Sequence, residues 1–190
     1  RRLELTIAAM SGLPLHIAPA GTSTEGEVML PQRLAVHGDP DEAVARYRLL
    51  ALAQAARHAR GTRAGLPADA LVRDLYLVAE SVAAERDVVT RAQKLAPLLQ
   101  ALRFGELSAR PSVYRLAHAE RQVEGLLRTV LATAADRAPE SVPSFDSTAE
   151  SIAWAEATAR EIPRTSGEHA TYRPLNPMTL SGLAWSARGA

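Results

Sequence analysis

The sequence predicts a mainly α-helical domain carrying one small β-hairpin, an α+β arrangement in which helices dominate. Composition carries much of that prediction: alanine supplies 37 of the 190 residues, and 21 of the 22 basic residues are arginine, with Lys94 the one lysine. Both alanine and arginine favour helix. Phe, Tyr and Trp together supply only eight residues, so close helix contacts through small side chains must provide much of the burial. Apolar residues also recur at helical spacing in stretches separated by Pro and Gly. The length suits one domain with ample chain for a core.

Residues 3–10 read as a short amphipathic helix closed by Ser11-Gly12. Leu13-Pro14-Leu15-His16-Ile17 then alternates, and Val28-Met29-Leu30 is a second strand candidate. The polar stretch Gly21-Thr22-Ser23-Thr24-Glu25-Gly26 between them is turn chemistry, which predicts a β-hairpin near 13–31 closed by Pro31.

The helical core begins at Asp39-Pro40-Asp41-Glu42, a capping box with Asp as N-cap and Pro at the first helical position. This helix is expected to run to about Arg60, with Gly61 as its C-cap. Val44, Tyr47, Leu49, Leu50 and Leu52, with alanines at 51, 53, 55, 56 and 59, put apolar groups on nearly every face, the mark of a central helix. Arg57, Arg60 and Arg63 read as its solvated, dipole-complementing end, although a phosphate contact would use the same residues. Pro67 opens a second helix to about Val89 with the apolar set Leu71, Val72, Leu75, Tyr76, Val78, Ala79 and Val82. A third, residues 91–103, is interrupted at Pro97 and stopped by Phe104-Gly105.

Pro111 starts the cleanest periodicity, with Val113, Leu116, Val123, Leu127, Val130 and Ala134 forming one stripe. An intramolecular core face explains that stripe better than a partner seam. Glu124 and Arg128 form an exposed i,i+4 pair on the same helix. Ser147-Thr148-Ala149-Glu150 caps a last helix through Ile152, Ala155, Ala159 and Ile162 to Pro163. Trp154 lies off that stripe and Trp185 beyond it; an off-core Trp points to an interface. Residues 1–163 are thus the helical domain, and 164–190 an extended tail or the start of a linker.

The chain contains no cysteine, so disulfides and thiolate chemistry are excluded, and no apolar run reaches membrane-spanning length. A balance of 22 basic against 21 acidic residues gives no electrostatic case for nucleic acid. Gly-Lys-Ser/Thr, Gly-x-Gly-x-x-Gly, Gly-x-Ser-x-Gly and Asp-x-Ser-x-Ser are all absent. The histidines at 16, 37, 58, 118 and 169 never fall four apart, the spacing that aligns two imidazoles on a helix. No cofactor or metal is therefore expected.

One pair of residues invites two readings. His58 lies four residues after Gln54, and Glu80 is flanked one turn away by Tyr76, Leu77, Ala83 and Ala84, which predicts a partly buried carboxylate. His58 and Glu80 are either two-thirds of a zinc site or an acid–base pair, or else structural, with Glu80 pairing Arg57, Arg73 or His58. The structural reading is favoured because zinc coordination takes at least three protein ligands.

Several stretches in order resemble the N-terminal region of the CbbO/NorD family, proteins with a C-terminal von Willebrand factor A (VWA) domain that work with MoxR-class AAA+ ATPases. They are Gly26-Glu27-Val28-Met29-Leu30-Pro31, the run from Tyr47 through Arg57 with Gly61-Thr62, and Asp74-Leu75-Tyr76-Leu77-Val78-Ala79-Glu80. Ser151-Ile152-Ala153-Trp154-Ala155 and Tyr172-Arg173-Pro174-Leu175-Asn176-Pro177 complete the set. The resemblance implies a degenerate zinc-peptidase-like core in which Gln54-Ala55-Ala56-Arg57-His58 stands for His-Glu-x-x-His. The first His and the general-base Glu are replaced, leaving His58 and Glu80 as a remnant pair. It implies an adaptor rather than an enzyme, cytoplasmic, binding a hexameric MoxR-class ATPase and reaching a client through a VWA domain that lies outside this chain. Rubisco activation and nitric oxide reductase maturation are the family's tasks. The chain would be the front half of such an adaptor. A metal-dependent hydrolase using His58 and Glu80 is the alternative, and a third is a regulator with an apolar ligand pocket between the two central helices.

Overall fold

The computed structural model describes residues 8, 16–19, 27–30, 40–110, 112–163 and 172–175. Within them the protein is mainly helical, built on α1 (Pro40–Arg60), α2 (Ala70–Arg91), α3 (Ala96–Ala109), α4 (His118–Ala132) and α5 (Thr148–Glu161). Short 3₁₀ turns at Gln93–Leu95 and Val113–Arg115 precede α3 and α4. Among the described residues no helix is long and apolar enough to cross a membrane. Most of the helix expected at 3–10 and most of the tail at 164–190 lie outside the described residues.

Strands β1 (His16–Pro19) and β2 (Glu27–Leu30) pair in parallel, with His16 opposite Glu27 and Pro19 opposite Leu30. The expected hairpin is therefore corrected, because a hairpin requires antiparallel strands. Alternation reads the same in either direction, so it marks a strand without fixing its orientation.

Helix α1 ends where its sequence says it should. Gly61 adopts φ +72°, Thr62 N–H donates to the Arg57 carbonyl (3.1 Å) and Gly61 N–H to that of His58 (2.9 Å). These are the two bonds of a Schellman cap. The second helix starts later than Pro67 suggested: Asp69 accepts from the N–H groups of Leu71 (3.0 Å) and Val72 (3.1 Å) and is the true N-cap. Pro97 sits in the first turn of α3 and opens it rather than interrupting it. Gly105 does not stop α3, which runs on to Ala109; one glycine costs a helix only about 1 kcal/mol.

The fourth helix begins at His118, not Pro111, and the Glu120 carboxylate accepts from Ala117 N–H (3.0 Å). Val113 and Leu116 consequently lie outside the helix and half-buried, and Ala134 is exposed, while Val123, Leu127 and Val130 form the buried stripe. Ser147 caps α5 by accepting from Glu150 N–H (3.2 Å).

The central helix is α2 rather than α1. Fifteen of its 22 residues are buried, and it packs against α1, α4 and α5, while α3 packs against α1 and α4. The first half of α1 exposes Asp41, Val44, Arg46 and Arg48, and burial becomes continuous only from Leu49 to Ala55. Alanine made every face of α1 apolar on paper without requiring that every face be covered. Three apolar clusters result. One joins α1 to the end of α2 and to Leu99 of α3. A second joins Leu71, Leu75 and Tyr76 of α2 to Val123, Ala155 and Ala159, with Tyr172 and Leu175 packed on its edge. The third joins Val78, Ala79 and Val82 to Leu127, Val130 and Leu131. Trp154 is half-buried, touches the second and third clusters, and meets Phe145 at a 6.0 Å ring separation. It is part of the core and not the off-core residue its position suggested.

Candidate functional site

Helix α2 carries the apolar core and, on the same buried surface, the polar residues Asp74, Glu80, Ser81 and Glu85. A carboxylate removed from water must be matched by hydrogen bonds or opposite charge, and each of the three receives a different part of the chain.

Glu80, 1 % exposed, is the hub. Its Oε1 accepts from Arg60 Nη2 (2.8 Å) and Ser151 Oγ (2.7 Å). Its Oε2 accepts from Arg60 Nε (3.0 Å) and Thr62 Oγ1 (2.6 Å). The Schellman cap places Thr62 there, directly after the turn that ends α1. Thr62 also accepts at its carbonyl from Tyr76 Oη (2.9 Å). Burial alone would raise the Glu80 pKa, but the bonds from Arg60, Thr62 and Ser151 and the Arg60 charge outweigh it and hold the carboxyl below its usual range. Burial opposes the Arg60 charge, and Glu80 more than restores it, leaving the guanidinium raised. Burial, followed by the Glu80 charge, pushes the Tyr76 hydroxyl up, so it remains a donor.

One turn earlier on α1, Arg57 lies inside the interface, 2 % exposed. Its Nη2 donates to Ser81 Oγ (3.0 Å), and Ser81 donates to the Leu77 carbonyl (2.8 Å). Burial lowers the Arg57 ionisation, offset in part by the charges of Glu85 and Glu80. Glu85 is held by Arg103 of α3 through Nε (2.7 Å) and Nη2 (2.5 Å). The same guanidinium gives Nη1 to the carbonyls of Thr133 (2.9 Å) and Ala134 (3.3 Å), capping the end of α4.

At the other end of α2, Asp74 Oδ2 accepts from Tyr172 Oη (2.7 Å) and Leu175 N–H (2.6 Å). Burial, then the Asp74 charge, pushes the Tyr172 hydroxyl up and keeps it protonated. Away from α2, Glu124 is fully buried and bonded by Arg110 and by Arg128 Nε (2.8 Å). The Glu124–Arg128 pair expected on the surface thus has a buried carboxylate, which Arg110 at the end of α3 also bonds, and a partly exposed guanidinium.

The structure does not bring His58 and Glu80 together. His58 is exposed in the last turn of α1, while both Glu80 oxygens face donors, with the Arg60 cation where a metal ion would have to sit. None of the partners expected for Glu80, which were Arg57, Arg73 and His58, bonds to it. Nor is the end of α1 a uniformly solvated basic cluster, since Arg57 is buried and Arg60 is bound to Glu80. Among the described residues no three His, Asp or Glu side chains are grouped to hold a metal. Gln54 and Ala55, standing where the His-Glu-x-x-His pattern has its first His and its Glu, are buried against the core. Between α1 and α2 a cavity of about 30 Å³ is lined by Leu52, Ala55, Ala56, Ala59, Asp87, Val88 and Arg91. That is room for a water rather than a ligand.

No sequence signal assigns Thr62 or Ser151 to Glu80, or pairs Glu85 with Arg103 and Asp74 with Tyr172. A usable signal existed for Arg60 alone: it lies three residues after Arg57, on the same side of α1. Compared with protein-family models, curated proteins and solved structures, the chain matches none.

Proposed function

We propose that this chain is a non-catalytic adaptor domain of a MoxR-type AAA+ ATPase system, with a degenerate zinc-peptidase-like core. In this reading the helical domain binds the hexameric ATPase ring in the cytoplasm, and a VWA domain elsewhere in the polypeptide engages the client. The task is of the Rubisco-activation or nitric oxide reductase-maturation kind. One observation carries the proposal. Segments that resemble the family separately in sequence meet around α2: Thr62 and Ser151 on Glu80, and Tyr172 and Leu175 on Asp74. These segments thereby supply donors to two buried carboxylates of one helix. The saturated Glu80 also supports a structural role for that residue, and no observation favours the hydrolase alternative.

The test is co-purification of the full-length polypeptide with a hexameric MoxR-class ATPase, together with ATP turnover of the ring. Stable association and altered turnover are expected. A full-length polypeptide that neither binds the ring nor changes its turnover overturns the proposal.

A further inference from the structure

The docking of residues 172–175 has features that distinguish it from the helical core. The segment belongs to neither helix nor strand. Tyr172 and Leu175 are half-buried, resting on the cluster of Leu71, Leu75 and Val123, while Arg173 and Pro174 between them are exposed. Its polar anchorage falls on two carboxylates. Asp74 Oδ2 takes both Tyr172 Oη and Leu175 N–H, and Glu120 Oε1 takes Arg173 N–H at 3.3 Å. Glu120 has a second duty, since its other oxygen accepts from Ala117 N–H at the start of α4.

We infer that residues 172–175 form a reversible latch, an irregular segment resting on α2 and α4 that opens while the helices stay folded. The physical basis is the contrast in anchorage. Segments with few buried contacts and solvent-facing backbone open at low free energy, whereas a helix buried on most sides opens only with the whole domain. None of residues 172–175 is fully buried, whereas α2 beneath them buries fifteen of its 22 residues and packs against α1, α4 and α5. Opening hydrates Asp74 and uncovers the apolar edge formed by Leu71, Leu75 and Val123. This inference does not depend on the adaptor reading.

Amide hydrogen exchange on the intact chain tests it. The Leu175 and Arg173 amides are expected to be protected, yet to exchange at least a hundredfold faster than amides at 75–82 in α2. Asp74→Asn is expected to accelerate Leu175 about tenfold or more while leaving 75–82 unchanged. Tyr172→Phe, a milder change that keeps Asp74 intact, is expected to accelerate it severalfold with the same selectivity. Exchange of the strap and α2 at one common rate would make the strap part of a single cooperative unit and overturn the inference. Unprotected strap amides, or variants that accelerate both regions in parallel, overturn it equally.

Discussion

Replacing Glu80 by Gln tests the hub most directly, because the side chain keeps its shape and loses its charge. Each carboxylate oxygen of Glu80 accepts two hydrogen bonds, from Arg60 and Ser151 on one side and from Arg60 and Thr62 on the other. An amide can satisfy one of those sides only; on the other its NH₂ group faces an Arg60 N–H, which cannot accept, and a Ser151 or Thr62 hydroxyl that must rotate to do so. Two charge-assisted bonds are lost, each contributing about 1.5 kcal/mol or more, so the substitution should destabilise the domain by about 3 kcal/mol. For a chain of this size that lowers the melting temperature by about 6–12 °C.

The pH dependence supplies a second readout with a definite sign. The folded-state Glu80 ionisation lies below the usual carboxylate value. Its stabilisation is therefore complete above the unfolded-state pKa of about 4.3 and disappears as pH falls through the lower folded-state value. Urea denaturation followed by circular dichroism at pH 7 and across the acid range measures both effects. Glu80→Gln should be less stable at pH 7 and should lack this part of the acid loss. A cost below about 1 kcal/mol at pH 7, or an unchanged acid profile, would refute the assignment of Glu80 as an ionised, buried hub.

Arg103→Met should destabilise by about 3–5 kcal/mol by removing the guanidinium that bonds the buried Glu85 and caps α4, and pairing it with Glu85→Leu should recover much of the loss in urea melts. Gly65→Ala places a Cβ 3.0 Å from Tyr76 Oη. It should cost about 1–2 kcal/mol, and calorimetry should find a smaller cost in a Tyr76→Phe background, where the clashing oxygen is gone. His58→Ala should change stability by less than about 0.5 kcal/mol, since the side chain is exposed. Elemental analysis of the purified protein checks the same residue: stoichiometric zinc lost on His58→Ala would contradict the placement of His58 outside any metal site.

Local signals were read well where the physics is local. Gly61 as a C-cap and Ser147 as an N-cap are decided by backbone conformation and orphan N–H groups within a few residues, and both stand as expected. The errors cluster where a local signal was given a non-local meaning. Pro67 and Pro111 are compatible with a helix start, but Asp69 and the Glu120 carboxylate offered hydrogen-bond partners nearer the observed starts. The α1 pattern, rich in alanine, was apolar all round, yet its first half faces outward. Alanine tolerates either environment, so its pattern could not distinguish α1 from α2 as the central helix.

The sequence by itself determined that the domain is mainly helical and where most helices lie, and it predicts a partly buried Glu80. Those properties follow from propensity, capping and the side chains one turn away. Only the tertiary structure decided which groups meet the buried carboxylates. Glu80 draws its donors from positions 18, 20 and 71 residues away, and Asp74 reaches across 98 residues to Tyr172. A helical period shows which face a residue occupies and leaves open what packs against that face. Arg60 rather than His58 became the partner of Glu80 because α1 presents Arg60 towards α2 and leaves His58 exposed.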